Sequence, residues 1–272
     1  MDRRLTPFSG RIALETLRGT LPAETFVPGE AGSVIAPLAD LCTDPGGARD
    51  RQLLLGEAVT IIERRHDHVF VQAAKDRYCG WLPARAVGPA AKPTHWLCVP
   101  ASHLYSGPKV QAPEQAALSL GARVAVVEAG ASFARTALGW VPRAHLRPLG
   151  EWESDPVAVA EKFLGTPYLW GGNSHAGLDC SGLVQLAFAA CGQEVPADSD
   201  LQQTIGTPLA EAAPLRRGDL IFWKGHVALV VDAARLIHAN GHTMSVAYEP
   251  TEACLDRIEQ TEGLCPCALR RP

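Results

Sequence analysis

One thiol and two imidazoles stand where this sequence could do covalent chemistry. Cys180 lies in Asp179-Cys180-Ser181-Gly182, at the head of an apolar run over residues 183–191. Aspartate is a favoured N-cap, so a helix is expected to begin at the cysteine. A nucleophilic thiol must be partly ionised near neutral pH, although free cysteine titrates at about 8.5. The positive end of a helix and a neighbouring imidazolium both favour the thiolate. Amides at the helix start can also hold a developing oxyanion. Gly177 and Gly182 allow backbone to approach the thiol from either side. The same four residues equally suit a buried helix cysteine with a capping aspartate. Asp179 also works against ionisation, because a nearby anion raises a thiol pKa.

The imidazoles tip the balance. His226 opens an apolar strand over residues 227–231, and His238 lies in the next one, 235–239. A three-residue connection, 232–234, sets 228 opposite 238 and 226 opposite 240. Both histidines then project from one sheet face, a diagonal step apart. A two-residue connection puts them on opposite faces. On one face they form a relay, in which one ring takes the thiol proton and the other fixes its tautomer.

Other elements must hold these groups. Ser154-Asp155-Pro156 caps a helix expected over 156–164, with Pro in its first turn. A glycine-rich stretch, 165–172, leads to the cysteine helix, and a further strand is expected over 220–223. Helices followed by a run of strands make residues 151–272 an α+β domain. Upstream lies a loose repeat in which each copy pairs a proline-bearing opening strand (35–38 and 98–100) with Leu-Gly and a β-branched run (55–62 and 120–127). Each copy closes on Gly-Trp-apolar-Pro, at Gly80 and at Gly139. Such spacing reads as two small barrels, 34–90 and 91–150, with Trp81 and Trp140 plugging their cores. Residues 1–33 are an arm with one short helix expected around 12–17.

The 272 residues carry 25 Lys plus Arg against 29 Asp plus Glu, a net charge of −4 that gives no reason to expect nucleic acid as a partner. No run approaches the roughly 18 apolar residues of a membrane span, so no membrane partner is expected. The first 30 residues lack the apolar core of about 7–15 residues that export requires, and a cytoplasmic location is expected. Of eight cysteines, Cys42, Cys98 and Cys191 sit among apolar neighbours and read as small core residues. Cys265 and Cys267 form a close pair with only Cys254 and His242 nearby, short of a spaced four-ligand zinc set. No metal and no cofactor are expected.

The motif at Cys180, Arg217-Gly218-Asp219-Leu220, Gly225-His226-Val227-Ala228 and Ile237-His238-Ala239 together strongly resemble the NlpC family of cell-wall cysteine peptidases. The likeness extends through Gly165-Thr166-Pro167-Tyr168-Leu169-Trp170-Gly171-Gly172 and through 196–203. It implies a papain-like core with Cys180 as nucleophile, His226 as base and His238 as the polar third member. The chain as a whole looks like the subgroup that cleaves γ-D-glutamyl-L-diamino acid bonds in murein tripeptides or tetrapeptides bearing a free amino-terminal L-Ala. In that subgroup two SH3-like barrels precede the catalytic domain, and a tyrosine before Gly-Trp, here Tyr78, serves the site. The resemblance implies that Asp179, Tyr78, Ser181 and Ser199 hold the substrate ammonium and that Trp170 contributes to substrate binding. Three other readings stay open: a periplasmic endopeptidase acting on intact peptidoglycan, a non-catalytic wall-binding protein, and an acyltransferase or amidase on the same core.

Overall fold

Turn residues and β-branched runs make the amino-terminal half of the chain almost wholly strand. The computed structural model describes residues 1–210 and 213–272 and divides into two units, Met1–Glu151 and Trp152–Pro272. In the first unit, seven strands form one antiparallel sheet in the order Arg49–Leu54, Leu38–Cys42, Cys79–Pro83, His68–Ala73, Ala58–Arg65, Glu30–Val34 and Val87–Pro89. Trp81 is buried in it with Ile62, Phe70 and Cys79, its ring 5.3 Å from that of Phe70. The arm completes this cluster: Ile12, Leu14 and Val27 pack on it. The helix expected around residues 12–17 is not formed. Ile12–Leu14 is instead a strand paired in parallel with Thr25–Val27, and only Glu15–Leu17 makes one 3₁₀ turn. A six-residue helix gains too little to nucleate, and burial against the Trp81 cluster wins.

A second β module follows in the same unit. It has five strands in the order Glu114–Ser119, Ala101–Tyr105, Trp140–Pro142, Phe133–Thr136 and Val126–Ala129, and three more in Arg123–Val124, His95–Leu97 and Leu146–Pro148. Two expectations need correction. Trp140 is only half-buried, and the core tryptophan of this module is Trp96. The repeat prolines lie just outside the strands, which start at Leu38 and Ala101, since proline has no N–H for the ladder.

The second unit is α+β. Pro156–Glu161 forms a helix capped by Asp155, whose carboxylate accepts from the Val157 amide at 2.9 Å. It stops short of residue 164, and residues 162–165 run on as a turn into Gly165. The helix Cys180–Ala190 is buried at every position but Ala189, which marks a central helix packed on all sides. It lies against the strands His226–Asp232 and Arg235–Asn240. These belong to a six-stranded antiparallel sheet ordered Thr207–Pro208, Ala268–Arg271, Leu220–Trp223, His226–Asp232, Arg235–Asn240 and Ser245–Pro250. The helix Thr251–Glu262 sets Cys254 and Ile258 against Ile221, Trp223, Ala228, Val230 and Leu236. Cys98 is buried as expected, whereas Cys42 and Cys191 are only half-buried. Among the described residues no helix is long and apolar enough to cross a membrane.

Candidate active site

The position of Cys180 is set by the cap of its helix. Asp179 Oδ1 accepts from the Gly182 amide at 2.5 Å and the Ser181 hydroxyl at 3.0 Å, while Oδ2 accepts from the Gly171 amide at 3.0 Å. One carboxylate thus fastens the glycine-rich loop to the first turn of the helix that begins at Cys180. At Gly182 the Gly172 backbone carbonyl comes too near for a Cβ, the close backbone approach expected there, whereas at Gly177 it is the Leu169 side chain that would lie 2.5 Å from a Cβ. Cys180 is buried, with Sγ 4.0 Å from the carbonyl oxygen of Gly225, the residue that precedes His226.

The histidine hairpin resolves the parity question in an unexpected way. Asp232 pairs with Arg235, so the connection is two residues long. A bulge between Val230 and Asp232 then adds one residue to the first strand, and beyond it Val230 faces Leu236 and Leu229 faces Ile237. That is the register of a three-residue loop, and the histidines share one face. His226 Nε2 lies 2.9 Å from His238 Nδ1. His238 is buried, and its Nε2 lies 3.1 Å from Glu249 Oε2. Arg257 grips the same carboxylate, with Nε donating to Oε1 and Nη2 to Oε2, both at 2.8 Å.

Burial pushes His226 down to about 3, with His238 and Arg257 adding to the effect and Glu249 opposing it. A neutral imidazole therefore faces the site at pH 7, competent to accept a proton. Glu249 is held well below the usual carboxylate range, chiefly by Arg257.

The residues proposed for substrate fall into separate groups. Asp179 and Ser181 flank the thiol and are bonded to each other. Ser199 is buried at the start of the helix Ser199–Gln202, and Gln202 Nε2 ties that helix to the helix of Cys180 by donating to the Ser181 carbonyl at 2.9 Å, and to the segment between them by donating to the Pro196 carbonyl at 2.9 Å. Trp170 is 69% exposed on the glycine-rich loop. Tyr78 is buried and belongs to the amino-terminal unit. Three residues near the chemistry carried no role in the sequence reading. Glu249 and Arg257 are two, and Tyr168 is the third. Burial raises the Tyr168 phenol, and the charges of Cys180 and Asp179 add to this, so it stays neutral. Its place in the glycine-rich motif was the available signal.

Among the described residues one group has the spacing of metal ligands, His238, Glu249 and Cys254, with donor atoms within 4.8 Å of one another. A cation is already there: Arg257 Nη2 is 3.8 Å from Cys254 Sγ, and burial pushes that thiol up to about 12. A protonated thiol and a resident guanidinium make this a hydrogen-bonded ion-pair cluster.

Comparison with known proteins agrees with this geometry. The NlpC/P60 family model matches residues 165–258. A γ-D-glutamyl-L-lysine dipeptidyl-peptidase of Bacillus subtilis is 30% identical over 226 residues, covering 73% of this chain and 74% of that protein. The chain belongs to the NlpC/P60 family. A protein of the same name from Bacillus cereus is 26% identical over 238 residues, covering 74% of this chain and 70% of that protein. The crystal structure of an NlpC/P60 family protein from Bacillus cereus shares the fold, with a TM-score of 0.75 at 22% identity over 89% of this chain and 99% of that one. A bacterial dipeptidyl-peptidase Sh3 domain model matches residues 41–87, within the first of the two β modules of this NlpC/P60 member.

Proposed function

We propose that this peptidase is a cysteine endopeptidase that hydrolyses the γ-D-glutamyl-L-diamino acid bond of murein peptides with a free amino-terminal L-Ala, as in cytoplasmic recycling of wall fragments. The observation that carries the reading is a cysteine at a capped helix start beside a hairpin whose two histidines are joined at 2.9 Å. The likeness to two Bacillus γ-D-glutamyl-L-lysine dipeptidyl-peptidases supports the choice of bond.

The chemistry follows from these groups. Neutral His226 takes the Cys180 proton as sulfur attacks the γ-carbonyl carbon of D-Glu. The negative charge moves to the carbonyl oxygen, near the positive end of the nucleophile helix. Collapse of this adduct breaks the C–N bond, and His226 gives its proton to the leaving amine. Water then attacks the thioester, losing a proton to His226, and releases L-Ala-D-Glu and the thiol.

Within the carboxyl-terminal unit, the free amino terminus is assigned to Asp179, Ser181 and Ser199. A buried ammonium needs an acceptor for each proton, and a carboxylate with hydroxyls supplies them. The test is incubation with L-Ala-γ-D-Glu-diaminopimelate, its N-acetyl form and intact sacculi, with products read by mass spectrometry. Release of L-Ala-D-Glu from the free peptide is expected, with discrimination against the N-acetyl form reaching about 10⁴-fold. Equal rates on both peptides would sink the free-amine requirement and favour an endopeptidase of intact stems. Absence of turnover on all three would favour a wall-binding protein.

A further inference from the structure

We infer that Glu249 is a positioning residue of this active site, fixing through His238 the tautomer in which His226 presents a bare Nδ1 to the thiol. The inference rests on the assignment of Cys180 and His226 as nucleophile and base. Its starting point is topology. Leu236 faces Glu249 and His238 faces Ala247 across the ladder, so Glu249 lies one diagonal step from His238 on the same sheet face.

The protons can then be placed one by one. Glu249 is ionised against Arg257 and can only accept. Nε2 of His238, 3.1 Å from it, therefore carries the hydrogen. A neutral His238 then has a bare Nδ1, which must accept from Nε2–H of His226 across the 2.9 Å contact. A neutral His226 with hydrogen on Nε2 has its lone pair on Nδ1. When the thiol proton arrives there, the imidazolium keeps its Nε2–H on His238, and no proton passes along the chain. Arg257 orients the whole array, because its two donors occupy both carboxylate oxygens. Cys254 stays a thiol beside it and adds no charge.

The oxygen shared by His238 and Arg257 decides which variant is informative. In E249Q the amide oxygen at the Oε2 position accepts from both His238 Nε2 and Arg257 Nη2, only the bond from Arg257 Nε is lost, and the proton order survives. In E249L no acceptor remains, and the released Arg257 guanidinium can only donate toward His238. Nε2 of His238 must then accept, Nδ1–H donates to His226, and His226 carries its hydrogen on Nδ1, toward the thiol. A catalytic histidine held in the wrong tautomer costs up to about 10⁴-fold in turnover.

The experiment measures kcat and KM for wild type, E249Q and E249L on L-Ala-γ-D-Glu-diaminopimelate. In parallel, ¹⁵N–¹H correlation spectra of histidine-labelled protein report which nitrogen of His226 is protonated. E249L is expected to lose at least about a hundredfold in kcat with KM within about threefold, and to show protonated Nδ1. E249Q, which keeps the acceptor, should be at least about tenfold faster than E249L, with bare Nδ1. Should E249L not fold, E249Q/R257M is compared with E249A/R257M, which has no acceptor, and the glutamine variant should be the faster by about tenfold or more. An E249L enzyme with kcat within threefold of wild type, an unchanged His226 tautomer in E249L, an E249Q enzyme no faster than E249L, or equal rates for the two double variants would each overturn the assignment. The tautomer spectra need no turnover, so a chain inactive on every substrate would count against the proposed function and leave this inference testable by itself.

Discussion

Gly182→Ala sets two opposed effects on one methyl group. Gly182 is the third residue of the helix Cys180–Ala190. By intrinsic propensity alone, alanine there should stabilise the helix by about 0.5–1 kcal/mol. The structure reverses the sign. A Cβ at this position would stand 2.4 Å from the carbonyl oxygen of Gly172 and 3.0 Å from both Asn173 Oδ1 and Asp179 Oδ1. The Gly172 oxygen is backbone, and it already accepts from the Asp179 amide at 3.2 Å, so it cannot swing aside as a side chain would. Reaching even a tight contact of 3.0 Å requires a displacement of 0.6 Å, and an ordinary one of 3.4 Å requires 1.0 Å. Overpacking of this kind costs about 1–3 kcal/mol, which outweighs the propensity gain. A shift approaching 1 Å in the loop that brackets Cys180 should also lower turnover by about a hundredfold. Urea titration and steady-state kinetics on the free murein tripeptide measure both effects. An alanine variant that is more stable than wild type and cleaves at the same rate would refute the reasoning.

Other outcomes follow from the same geometry. Cys180 should be the thiol whose alkylation at pH 6.5 abolishes activity, with labelling of exposed Cys265 and Cys267 leaving it intact; peptide mapping that shows activity surviving modification of Cys180 would remove its role. His226→Ala should lower kcat by several orders of magnitude, whereas His238→Asn or His238→Gln should keep partial activity, since His238 acts through its neighbour. Stability should fall as pH drops from about 6.5 toward 5. In that window the unfolded chain protonates His226 and the native state, with this group lowered to about 3, does not. The slope is at most about 1.4 kcal/mol per pH unit, and His226→Gln should flatten it in urea titrations. Glu249, also lowered, contributes stability that is lost only below the ordinary carboxylate value of about 4.3, so the His226 effect acts without it between about 6.5 and 4.3 and the two add below that.

What could be read from the sequence was local. Asp179 before Cys180 announces a capped helix because cap and helix are neighbours in the chain, and the structure places the cap bond there. The histidines announce a relay because their strands form a hairpin. Glu249 gave no such sign. It sits in an alternating strand where a charged residue ordinarily faces water, and its partner Arg257 lies on an amphipathic helix where arginine is equally ordinary. Only the pairing of Arg235–Asn240 with Ser245–Pro250, and the packing of that helix beside them, brings them to His238. The strand at Ile12–Leu14 was hidden for the same reason, since its partner Thr25–Val27 comes from beyond an intervening turn. Trp140 misled because a repeated motif does not guarantee repeated burial, and in the second module Trp96 fills the core.

The bulge at Val231 separates two requirements that a plain hairpin would couple. With an unbroken ladder, the number of residues at the tip would decide which side of the sheet His238 occupies. Here the strand Arg235–Asn240 is also locked along its full length to Ser245–Pro250, so the end that carries His238 takes its alignment from that neighbour. The tip at Ala233 and Ala234 is thereby relieved of any part in aiming the rings. Changes of length there can be absorbed where the ladder is already irregular, while loss of the single bulged residue would turn one imidazole away from the other. The hairpin tip is thus open to variation in a way that position 231, with no chemistry of its own, is not.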